Sequence, residues 1–94
     1  MARAVFNGTV IAESDDTKLV EGNVYFPPGS IRSEHFTGID RTTVCHWKGT
    51  ASYYDVEVDG ERAEGVAWYY PDPSEAAEEI RDHVAFYPKV TVEA

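Results

Sequence analysis

TVCHWKGTASYYDVEV, residues Thr43 to Val58, is the stretch on which the fold class turns. It reads as a strand over Thr43–Trp47, a turn at Lys48-Gly49, and a longer strand over Ala51–Val58. In the longer strand Tyr54, Val56 and Val58 share one face, while Tyr53, Asp55 and Glu57 share the other, because side chains alternate along a strand. The more apolar face is expected to enter the core. The same stretch holds the only cysteine of the chain, one of its two tryptophans and two adjacent tyrosines.

Working outward, Asp59-Gly60 is a hairpin turn signal, and Val66–Tyr70 returns as a strand with Val66, Trp68 and Tyr70 on one face. Towards the N-terminus, Asn7-Gly8 between Val5-Phe6 and Thr9–Ala12 marks a tight hairpin, since Asn-Gly readily supplies two positive φ values. A second hairpin is expected around Gly22-Asn23, with Pro27-Pro28-Gly29 stopping its last strand. Ser30–Phe36 is expected to hold one short helical turn, and Thr37–Arg41 a loop.

Beyond Tyr70 the pattern changes. Asp72 suits an N-cap, Pro73 the first helical position and Glu75 the third, a capping-box arrangement. Ala76, Ala77, Ile80 and Val84 then form an apolar stripe at helical spacing, predicting one C-terminal helix. Pro88 ends it, and Val90–Val92 reads as a last edge strand. The expected fold class is therefore mainly β (α+β), with two small packed antiparallel sheets and that one helix.

At 94 residues the chain reads as a single domain over 1–94, burying about 60–65% of its unfolded surface. Seventeen acidic against eight basic residues leave a net charge of −9, which argues against nucleic acid as a partner, because phosphates demand basic patches. No apolar run approaches the roughly 20 residues of a membrane helix, and the start lacks a secretory h-region, so no membrane partner is expected and the cytoplasm is the default. One cysteine can neither staple the fold nor build a structural zinc site. No metal and no cofactor are expected.

Four ordered motifs carry a family resemblance: Tyr25-Phe26-Pro27, then the run Cys45 to Tyr54, then Ala67-Trp68-Tyr69-Tyr70-Pro71-Asp72-Pro73, and finally Ala85-Phe86-Tyr87-Pro88. Together they resemble domain-of-unknown-function family 427, sometimes labelled a nucleotidyltransferase domain, over nearly the whole chain. The resemblance implies a β-rich fold of two antiparallel sheets similar to the β-tent of several zinc modules, without their paired cysteines, and it implies no catalytic role. Nucleotidyl transfer itself needs a Gly-Ser turn and two carboxylates one residue apart to hold magnesium ions. Gly29-Ser30 and Asp40 are present, but the partner position is Thr42.

Other constellations resolve into ordinary structure. Asp55-x-Glu57-x-Asp59-Gly60 resembles the start of a calcium loop, yet position twelve is Val66, where a bidentate Glu is required. Cys45 and His46 are strand neighbours and point to opposite faces. Cys45 beside Lys48 is sharper, since an ammonium lowers a thiol pKa, against the bland expectation of a small buried apolar residue. Cys45 and Trp47 are expected on one face, as are Trp68 and Tyr70. A candidate pocket thus comprises Cys45, Trp47, Lys48, Tyr53, Trp68 and Tyr70, with the lysine at its rim and a planar or anionic small molecule as ligand, either bound or acted upon. The competing readings are an aromatic core with no ligand, and a non-catalytic protein-interaction module. Neither a reaction nor an oligomeric state is legible.

Overall fold

The computed structural model describes residues 1–93. The described residues form strands β1 Ala2–Phe6, β2 Thr9–Ser14, β3 Lys18–Val20, β4 Asn23–Tyr25, β5 Phe36–Cys45, β6 Gly49–Val58, β7 Glu61–Tyr69, β8 Val84–Phe86 and β9 Thr91–Glu93. They pair into three antiparallel sheets, one more than expected: β2-β1-β9, the hairpin β3-β4, and β5-β6-β7-β8. No helix among the described residues is long and apolar enough to cross a membrane.

Local chemistry sets the hairpins. Asn7-Gly8 and Asp59-Gly60 both take positive φ (49° and 76°, 50° and 83°), the backbone a type I′ turn requires. The turn of the middle hairpin lies one residue earlier than expected, at Glu21-Gly22 (53° and 79°).

The four-stranded sheet is covered on both faces. On one side Val56, Val58, Ala67, Val84 and Phe86 pack with Ala4, Phe6, Ile11 and Ala12 of the first sheet and with Phe26. On the other, Ala51, Tyr53, Trp68, Tyr70 and Ala85 pack with Tyr25, Ala77 and Ile80. Both faces of β6 are therefore used, and the expected split into a core face and a water face fails for Tyr53 and Asp55, each buried. Asp55 is satisfied by the Gly65 N–H at 2.7 Å and by Arg62 at 2.7 Å. A register shift in the β6–β7 ladder between Tyr54 and Val56 also divides an expected common face: Val66 joins the first cluster, Trp68 and Tyr70 the second.

Two expectations are corrected. Thr37–Arg41 is strand, because β5 pairs with β6 from Phe36↔Val56 to Cys45↔Gly49, with one shift between Ile39 and Thr42. It is an edge strand, mostly exposed, so its sequence carries no clean alternation. The C-terminal helix is absent; only a 3-10 segment, Glu75–Ile80, occurs, interrupted at Ala77 (φ −115°, ψ 17°). Within the 3-10 segment only Ala77 and Ile80 of the supposed stripe, three apart, turn inward, while Ala76 is exposed. Val84 exchanges two 2.8 Å backbone hydrogen bonds with Phe26 and enters β8 instead. A helix this short cannot offset its nucleation cost once its last apolar anchor belongs to a sheet. Likewise Ser30–Phe36 holds parts of two 3-10 turns, Pro28–Ser30 and Ser33–His35.

Candidate functional site

A cleft of about 740 Å³ opens beside the second face of the large sheet and reaches the β8–β9 edge. Its walls come from separate parts of the chain: Gly22–Tyr25, the Lys48 turn, Tyr53, Trp68, Tyr70, and residues 86–88 and 90–92. Trp68 Nε1 donates to the Tyr25 hydroxyl at 3.2 Å, and the two rings meet edge to face with centroids 6.3 Å apart. Tyr87, exposed, lies against Trp68 at 4.7 Å. Tyr53 shares a 2.8 Å hydrogen bond with Thr43 Oγ1, and the Arg41 guanidinium sits 5.4 Å above its ring. These polar contacts hold the aromatic walls in fixed orientations, as buried phenols and indoles require.

The β5–β6 turn, His46–Lys48, brings the cation. Its geometry depends on Gly49, whose φ of +115° strains any residue with a side chain; an added Cβ would also press on the Asp72 carbonyl oxygen at 3.3 Å. The turn is clamped there, since the Lys48 carbonyl accepts from the Ser74 N–H at 2.9 Å and the Ser74 hydroxyl donates to the Trp47 carbonyl. Lys48 itself is 6% exposed, not a rim residue as expected. Its ammonium pairs with Glu21 and lies 4.9 Å from the Trp47 ring centroid and 5.8 Å from that of Tyr70. Burial works to lower its pKa, but hydrogen bonding to Glu21 and Cys45 and the neighbouring Tyr70 and Cys45 charges outweigh it, so the pKa stands above that of an ordinary lysine.

Around this cation other groups shift in turn. Glu21 is held below the usual carboxylate range by Lys48 and by Trp47 Nε1, which donates at 3.2 Å. Burial pushes the Tyr70 phenol up to about 12, against the pull of Lys48. Burial also raises Tyr25. Tyr87 is raised, first by its hydrogen bond with Tyr53 and then by burial. The Cys45 thiol is lowered, chiefly by the Trp47 backbone N–H and, against burial, by the Lys48 N–H and ammonium.

Of the residues singled out in the sequence, Lys48, Tyr53, Trp68 and Tyr70 stand together on the cleft. Cys45 and Trp47 do not line it. Cys45 is half-buried behind Lys48, packed against the aromatic cluster. Trp47 is 40% exposed, because β5 ends at Cys45 and alternation stops there; the indole folds over the ammonium instead. Three participants were missed. Tyr25 and Tyr87 belong to the Tyr25-Phe26-Pro27 and Phe86-Tyr87-Pro88 motifs, so their signal was present though unused. Glu21 carried none, since nothing in the sequence pairs it with a residue 27 positions away.

The class of protein thus defined is a small antiparallel β domain with an aromatic cleft and a buried lysine in its wall. The family model described as Domain of unknown function (DUF427) matches residues 1–94, and the chain belongs to that family. The model's short name carries the nucleotidyltransferase label. No curated protein matches the chain.

Proposed function

We propose that the chain binds a small planar molecule in the aromatic cleft. One observation supports this above the rest: Tyr25, Tyr53, Trp68, Tyr70 and Tyr87 converge with a buried ammonium on a single cleft of about 740 Å³. That volume is within the range of ordinary ligand sites, about 300–1,000 Å³, which are mostly apolar with a few placed polar groups. The aromatics supply area for a flat ligand, and Lys48 supplies charge. Binding is the whole of the proposal: Cys45, the strongest nucleophile nearby, is outside the cleft, and no chemical step is assigned to it.

The test is a panel of flat metabolites and nucleotides, read by melting shift and tryptophan fluorescence on wild type and Tyr87→Ala. Tyr87 is exposed and lies on Trp68, so its truncation trims the cleft without emptying the core. A binder should raise the wild-type melting temperature and lose affinity in the variant. A panel without a single binder would transfer the weight to a non-catalytic interaction module, and a binder indifferent to Tyr87→Ala would place the site elsewhere.

A further inference from the structure

We infer that the ligand of this cleft presents a carboxylate to Lys48 and Trp47, in the position that Glu21 fills in the free chain. This rests on the cleft reading above and adds the ligand's class. A buried ammonium needs an anion, because an unpaired charge out of water is very costly. Among the described residues Glu21 is the ion-pair partner of Lys48. Its two carboxylate oxygens go to different donors: Oε1 accepts from Lys48 Nζ, and Oε2 from Trp47 Nε1 at 3.2 Å. The ammonium and the indole N–H are thus spaced to grip both oxygens of one carboxylate, a charge-assisted pattern that fixes orientation as well as affinity.

Glu21 is poorly built to be the permanent occupant. Its side chain is 52% exposed, whereas that of Lys48 is 7% exposed, so water competes for one partner and not for the other. Its backbone sits at φ 53°, the left-handed region that a Glu enters at a steric cost and that Asn or Gly enters readily. It lies at the tip of the β3–β4 hairpin, which forms a sheet of its own; the arms are held by Val20, Val24 and Tyr25 in the two cores and by the Phe26–Val84 bridge, while the tip residues Glu21 and Gly22 are exposed. Neither tip residue is buried, so Glu21 can swing out without opening the core. The residues that follow, Gly22–Tyr25, form one wall of the cleft, and Lys48 faces that cleft beside Tyr70. A flat ligand among Tyr70, Trp68 and Tyr25 with a carboxylate at its edge therefore reaches Lys48 from within the cleft, and reaches Trp47 Nε1, which stands just outside the lining, only once Glu21 has left the pair. Glu21 acts as an internal competitor that keeps the cation paired while the cleft is empty.

The experiment compares naphthalene-2-carboxylate, its neutral amide and 2-naphthyl phosphate by titration calorimetry on wild type, Glu21→Gln, Lys48→Met and Trp47→Phe. Removing the competing charge should tighten the carboxylate about fivefold in Glu21→Gln, the scale of an exposed ion pair, and leave the amide unchanged. Lys48→Met should erase the preference of carboxylate over amide. Trp47→Phe, a change at an exposed ring, should weaken the carboxylate several-fold with folding intact. The inference is overturned, with the cleft reading surviving, if amide and carboxylate bind alike in wild type and Glu21→Gln, if the phosphate outbinds the carboxylate, or if Glu21→Gln weakens the carboxylate. No binding of any probe to any variant overturns this inference and removes flat aromatics from the cleft reading as well.

Discussion

Lys48 can be divided experimentally into a stem and a charge. As a residue decorating a turn, it would cost within about 0.5 kcal/mol on truncation to alanine, like most surface changes. Its burial says otherwise. At 6% exposure the aliphatic stem is out of water, and the ammonium it carries lies near the Trp47 and Tyr70 rings. Lys48→Ala removes three methylenes at about 0.8 kcal/mol each, so a loss of about 2–3 kcal/mol is expected. Lys48→Met keeps a chain of similar length and removes the charge. It forfeits the cation–π contacts, worth about 0.5–1 kcal/mol, but also abolishes the desolvation of a buried ammonium, and the net change should stay within about 1 kcal/mol. Glu21, being exposed, returns to water in both variants. Urea unfolding of the three proteins followed by far-ultraviolet circular dichroism measures the difference, with the slope checked for constancy. Equal losses in Met and Ala variants would mean that the charge, not the stem, stabilises the turn. Losses below about 0.5 kcal/mol in both would mean that Lys48 is solvated in solution.

Tyr70 should make the chain alkali-sensitive: a phenol raised from 10.0 to about 12 stabilises the fold fully below pH 10 and loses that contribution as pH climbs through about 12. At about 1.4 kcal/mol per pH unit the loss approaches 3 kcal/mol, and urea titrations across that range, with tyrosinate absorbance alongside, should find Tyr70→Phe flatter than wild type; an equally steep variant would assign the effect to another group. Asp55→Ala leaves the Gly65 N–H without its 2.7 Å acceptor and Arg62 without its buried partner, so it should cost about 2 kcal/mol in urea midpoints, with Asp55→Asn milder because an acceptor remains. A cost under about 0.5 kcal/mol would mean that water replaces the carboxylate.

What the sequence by itself determined was the local grammar. Asn7-Gly8 and Asp59-Gly60 specify their turns because few other pairs accept two positive φ values, and the alternation around Val56 and Val58 specifies strand and face. The four motifs sufficed for the family. The tertiary structure decided everything that depends on what covers a surface. Tyr53 looks water-facing until Tyr25, Ala77 and Ile80 close that side of the sheet, and Asp55 until Arg62 and the Gly65 N–H take its carboxylate. Residues 72–84 read as a helix until Phe26 claims the backbone of Val84, and ladder bonds outweigh a capping pattern of modest energy. Lys48 reads as the exposed rim of a pocket until Ser74 clamps its carbonyl and Glu21 arrives from a hairpin distant in sequence. Spacing along a chain encodes which neighbours a residue will have within one element. Whether a lysine is buried, and against which carboxylate, is set by contacts between elements, and those exist only once the sheets have packed.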